Sequence, residues 1–186
     1  CGKENPLTRY AFDRLNYFSE SGIYDNTLWA VSLVGNEKVV QMLLDQGADI
    51  NAQGEHGNAL QVASLVGNEK MVQMLLNRGA DINARGGEYD DALRAASSQG
   101  QEKVVQILLD QGADINAQGG MYDNALHAAL SRRQQRVMQM LLYQGADVNA
   151  QGRLYGSVLQ AASSEGQKKV VQMLLDRGAD VNAQGK

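Results

Sequence analysis

The sequence predicts an all-α solenoid of stacked helix-turn-helix units with projecting hairpin-like fingers. Three observations carry that expectation. The stretch Lys103-Val-Val-Gln-Ile-Leu-Leu-Asp-Gln-Gly-Ala-Asp-Ile-Asn-Ala-Gln118 recurs from Lys38, Lys70, Arg136 and Lys169, with its glycine at 47, 79, 112, 145 and 178. Steps of 32, 33, 33 and 33 residues between those glycines mark an array of units stacked on their neighbours. Asn26, Asn58, Asp91, Asn124 and Ser157 stand at one register of the period, and all are residue types that cap a helix N-terminus. In the second half of each unit, positions such as Val104, Val105, Leu108 and Leu109 fall on one broad helical face.

The elements follow in order. Residues 1–20 lie outside the repeat. Pro6 suits a first helical position, and Leu7, Tyr10, Ala11, Leu15 and Phe18 trace one face, so Pro6–Ser19 is expected to be a capping helix. Five units follow, at 21–53, 54–85, 86–118, 119–151 and 152–186. In each, a short first helix starts at the cap and ends at Gly35, Gly67, Gly100, Arg133 or Gly166, where glycine suits a left-handed turn. A second helix is stopped by the glycine before Ala-Asp. A polar, glycine-rich finger then leads to the next cap.

Two departures stand out. The finger entering the second unit, Gln53-Gly-Glu-His-Gly-Asn58, is one residue short and is expected to be tighter. Arg133 replaces the interhelical glycine inside the run Arg132-Arg133-Gln-Gln-Arg136. A left-handed backbone there costs about 1 kcal/mol without glycine. The run reads either as a solvated basic face or as a small anionic docking point.

The phrases Leu-Leu-x-x-Gly-Ala-Asp-Ile/Val-Asn-Ala and Ala-Ala-Ser-x-x-Gly resemble the ankyrin repeat over roughly residues 21–185. The family's Thr-Pro-Leu-His becomes Asn-Thr-Leu-Trp, Asn-Ala-Leu-Gln, Asp-Ala-Leu-Arg, Asn-Ala-Leu-His and Ser-Val-Leu-Gln, without any proline. The wording Gly-Gly-x-Tyr-x-Asn-Ala-Leu is similar to ankyrin arrays of filamentous-fungal multidomain proteins of the nucleotide-binding receptor type. The resemblance implies that His127 fastens a neighbouring loop. It also implies a protein-recognition scaffold whose concave groove is built from finger tips and first-helix ends.

Composition limits the alternatives. A net charge of −4 and a pI near 5.2 argue against a phosphate-backbone binder, so no nucleic-acid partner is expected. No apolar run is long enough for a membrane span. The single cysteine, Cys1, excludes an intramolecular disulfide and favours a reducing, cytoplasmic location. His56 and His127 fall in different units with no ligand-spaced partner, so no metal and no cofactor are expected. Ser32, Ser64, Ser97 and Ser163 repeat with the period, whereas a nucleophile would be unique, so no catalytic residue is assigned. Asp49, Asn51 and their copies read as loop-fastening residues.

Positions that repeat serve folding, so binding is sought where units differ. Among finger tips these are Ile23, Glu55, Glu88, Met121 and Leu154. Among first-helix ends they are Leu33-Val34, Leu65-Val66, Ser98-Gln99, Ser131-Arg132 and Ser164-Glu165. Tyr24, His56, Tyr89, Tyr122 and Tyr155 form a column that either packs between fingers or binds. Asp25, Glu88, Asp90, Asp91 and Asp123 flank it, which fits a partner with basic and apolar features. The candidate partner-binding set is Trp29, Leu33, Leu65, Val66, Glu88, Tyr89, Asp90, Met121, Tyr122, Asp123, Arg132, Leu154 and Tyr155. The alternative is a small-molecule module using the same groove. Unit five keeps the interior wording Val170, Val171, Met173, Leu174 and Leu175. The array is therefore expected to be cut from a longer protein, and either to self-associate through that unit or to fray there.

Overall fold

A computed structural model describes residues 27–54, 56–153 and 156–183. The expected capping helix at 6–19 lies outside them. So do Ile23, Tyr24, Asp25, Asn26, Glu55, Leu154 and Tyr155.

Among the described residues the chain forms five helix pairs in strict succession. They are α1 (Thr27–Val34) with α2 (Glu37–Asp45), α3 (Ala59–Val66) with α4 (Glu69–Asn77), and α5 (Ala92–Gln99) with α6 (Glu102–Asp110). α7 (Ala125–Ser131) with α8 (Gln135–Tyr143), and α9 (Val158–Ser164) with α10 (Lys168–Asp176), complete the array. The caps act as the residue types demand. The side chain of Asn58 accepts from the Gln61 backbone N–H at 2.9 Å, Asp91 from Arg94 at 2.7 Å and Asn124 from His127 at 2.9 Å. Gln61 and Gln160 each reach back to the cap's own N–H, closing full capping boxes on Asn58 and Ser157.

Each first helix ends in a left-handed residue, φ 77° at Gly67 and 72° at Gly100. Arg133 adopts the same region at φ 59°, so the strain expected of a side chain there is present. The short finger closes early, with Gly54 N–H on the Gly57 carbonyl, while the next finger pairs Gly86 with Asp90. In the last finger two short strands, β1 (Gln151–Gly152) and β2 (Gly156–Ser157), pair antiparallel.

The core runs continuously along the stack. Ala63, Ala96, Ala129 and Ala162 share one register of the first helices and all have zero exposure, as do Leu75, Leu108, Leu141 and Leu174 in the second helices. Small residues at the first register let neighbouring first helices approach, and leucines at the second fill the space between layers. Backbone ties reinforce the stack. Asn51 Oδ1 accepts from Asp81 N–H at 2.9 Å, and Asn83, Asn116 and Asn149 repeat that bond to Asp114, Asp147 and Asp180. In unit five Val170 and Leu174 are buried, while Leu175 and Val181 stand exposed.

Candidate functional site

One register position organises the concave side. It is the third helical residue after each cap, occupied by Trp29, Gln61, Arg94, His127 and Gln160. From there a side chain reaches the finger of the next unit. Gln61 Nε2 donates to the carbonyls of Ala84 and Asp90, both at 3.0 Å. Arg94 Nη1 donates to the carbonyls of Gly119 at 2.7 Å and Asp123 at 2.8 Å. His127 Nε2 lies 3.2 Å from the Gly156 carbonyl, and Gln160 Nε2 donates to the Ala183 carbonyl at 2.6 Å. These side chains fasten each finger to the helix before it, in the role the resemblance implied for His127.

Burial pushes the His127 imidazole below its ordinary value of 6.5, against the opposing pull of the Gly156 carbonyl and Asp123. A base whose folded value is lowered takes up protons more readily when unfolded. Its stabilising contribution is therefore present above about pH 6.5 and is lost as pH falls through that value. We expect urea midpoints to drop on acidification toward pH 5.5 and His127→Gln to flatten that part of the profile, since glutamine serves at this register in units two and five. Identical pH profiles for the two proteins would show that His127 contributes nothing.

The acidic residues beside the tyrosine column are occupied internally, which corrects the expectation of an open acidic surface. Arg94 is 1% exposed and binds Asp90 and Asp91 through Nη2, both at 2.6 Å. Burial pushes the Asp91 carboxyl up, and Arg94 pulls it back both as a charge and as a donor. Asp123 is held by Arg153, which donates from its backbone N–H at 2.9 Å and from Nε at 3.3 Å. Asp90 and Asp123 also take left-handed backbones, φ 71° and 61°, where the other described fingers have Gly57 and Gly156. Their place is set by finger geometry. Of the acidic residues expected to flank the column, Glu88 is the one described carboxylate that is exposed and has no ion pair.

Five of the candidate residues do converge. Trp29, Leu33, Leu65, Glu88 and Tyr89, joined by His56 and Val62, line a cavity of about 240 Å³ between α1, α3 and the fingers entering units two and three. Trp29 is 2% exposed, so it forms the floor of this cavity and not an open face. Its ring meets His56 edge-on at 5.5 Å, and Gly54 lies flush on the indole, leaving no room for a Cβ. The indole N–H is buried without an acceptor among the described residues. Val66 does not line the cavity; it packs on the small apolar cluster of Trp29, Ala30, Leu33 and Val62.

The groove continues past Glu88. Tyr89 and Tyr122 stack at 5.9 Å with planes 16° apart, so here the column packs between fingers. Burial, then Glu88 and Tyr122, push the Tyr89 phenol up and keep it protonated. Arg132 Nη2 reaches the Tyr122 hydroxyl at 3.3 Å, and Met121 is 49% exposed at its finger tip. Val62 joins the cavity wall from outside the candidate set, as does His56, which the sequence places only in the tyrosine column, and the fastening role expected of His127 extends along its register to Gln61, Arg94 and Gln160. The signal was there: that register changes from Trp to Gln, Arg, His and Gln while its neighbours repeat.

A larger cavity, about 680 Å³, lies on the opposite face, among the second helices of units three, four and five. Its walls are solvent-facing side chains such as Gln106, Gln139, Gln172, Lys169 and the 82% exposed Tyr143. Among the described residues no group of His, Cys, Asp and Glu could hold a metal ion, and no helix is long and apolar enough to cross a membrane.

No curated protein matches the chain. The sequence model for ankyrin repeats, which spans three copies, matches residues 14–86 and again 93–185. Ankyrin repeats are generally protein–protein interaction modules and typically not enzymes. With the helix pairs, fingers and asparagine ties already in place, that match over most of its length makes this chain a member of the ankyrin-repeat family.

Proposed function

We propose that this array recognises a protein partner in its concave groove, along the line from Trp29 and Leu65 to Arg132. The carrying observation is the convergence of variable residues on one cavity, beside Glu88, which has no ion pair among the described residues, and an exposed Met121. Repeating positions are consumed by the core and the finger ties, so these are the groups left to discriminate between partners. The small-molecule alternative has less support. A cavity of about 240 Å³ falls below the roughly 300–1,000 Å³ usual for small-ligand sites. No catalytic role belongs to the proposal.

The Gly-Gly-Met-Tyr-Asp-Asn-Ala-Leu run at 119–126 is the support for placing the array among the recognition segments of filamentous-fungal receptor-type proteins, and the single cysteine is the support for a reducing, cytoplasmic compartment. Self-association through unit five has support only in the exposed Leu175 and Val181. A strict monomer across a wide concentration series in sedimentation would remove it.

The groove is tested by capture from a native lysate with wild type and Leu65→Asp in parallel, followed by cross-link mapping. Leu65 is only half-buried, so the change is expected to abolish capture with little loss of stability. Cross-links clustered on the fingers and first helices support the reading. Cross-links on the second helices, or capture that survives Leu65→Asp, overturn it.

A further inference from the structure

Resting on that reading, we propose that the cavity between units one and two is a socket for a single lysine or arginine side chain of the partner. The aliphatic stem lies against Leu33, Val62 and Leu65, and the cation meets Glu88. Size comes first: about 240 Å³ suits one side chain better than a whole small molecule. Chemistry decides which side chain. The walls are apolar or aromatic, and Glu88 is the one acidic group among the lining residues. Its neighbours Asp90 and Asp91 are already bound by Arg94, and Arg132, the cation whose charge Glu88 feels, reaches the Tyr122 hydroxyl, so among the described residues of this cavity Glu88 is the carboxylate left without an ion pair. A hydrocarbon stem ending in a cation matches an apolar slot with a carboxylate at its rim. A purely apolar side chain would fill the slot but shield Glu88 from water without giving it a partner. An acidic one would be repelled. The net charge of −4 also favours encounter with a basic partner.

Trp29 is the only tryptophan, so its indole N–H resonance and its fluorescence report on the socket without background. The full chain is titrated with Nα-acetyl-L-lysine N-methylamide and, separately, with the norleucine isostere that lacks the ammonium group. We expect a saturable shift of the indole resonance with the lysine probe, and binding about fivefold weaker with norleucine, the size of one partly exposed ion pair. Glu88→Gln should erase that preference with an unchanged melting temperature, because Glu88 is exposed and contributes no ion pair to the fold. Equal or tighter binding of the norleucine probe, or no saturable shift with either, overturns the socket. Groove cross-links to a captured partner beside an unresponsive socket would remove this proposal and leave the recognition reading intact.

Discussion

Arg94→Gln destabilises the array by about 3–5 kcal/mol, and adding Asp91→Asn recovers most of the loss. The arginine is 1% exposed and neutralises Asp90 and Asp91 at 2.6 Å while holding two carbonyls of the next finger. Removing one partner of a buried charge pair leaves the other charge desolvated, the costly case among ion-pair deletions. The double variant recreates the Asn58–Gln61 capping box of unit two, where an uncharged pair does the same work. The single variant should also tolerate acid better than neutral pH. Burial already pushes the Asp91 carboxyl up. A carboxyl whose folded value is raised contributes stability below that value and loses it as pH rises. Urea unfolding of the three proteins at two pH values checks this. A double variant as unstable as the single one would show that the finger contacts, and not the charges, dominate.

Leu108→Ala costs about 3 kcal/mol and uncouples the two ends of the array, whereas Leu174→Ala frays only unit five. Both leucines have zero exposure at the same register, so the direct transfer and cavity costs are alike. Position along the stack separates them. Stability in a solenoid is a sum of unit terms and nearest-neighbour terms, so a defect in the middle unit severs coupling that a terminal defect leaves in place. Trp29 reports the seam between units one and two, and far-UV ellipticity reports all helices. The two transitions should separate in Leu108→Ala and stay nearly coincident in Leu174→Ala. One shared transition in both variants would mean that the array melts as a single unit.

The parts of the fold legible in the sequence are those governed by local rules. Asn58, Asp91, Asn124 and Ser157 cap helices because a short acceptor three residues from an N–H needs no other part of the chain. The left-handed turn at Arg133 could be read from its glycine counterparts, and the tight finger from one missing residue. The candidate site was legible only in outline. Leu33, Leu65, Glu88 and Tyr89 do share a cavity, but Asp90 and Asp123 had to be withdrawn from the open surface and Trp29 from the exposed face. Asp123 and Trp29 were misplaced because their partners, Arg153 for the one and His56 and Val62 for the other, come from the next unit, and Asp90 because Arg94, four residues on, is buried and folds back onto it.

The sequence by itself determined the period, the helix pairs, the finger register and the family, because each is repeated five times and the repeats check one another. Only the tertiary structure decided which of the varying residues remain available to a partner. Stacking puts the third helical residue of one unit beneath the finger of the next, about thirty positions along the chain. Arg153 in the next finger cancels the carboxylate of Asp123, and Arg94 folds back onto Asp90 and Asp91 of its own unit, while Glu88 forms no ion pair among the described residues. Neither arginine recurs at its register in the other units, so these pairings leave no periodic trace, and charge that looks open in the sequence is neutralised in the fold.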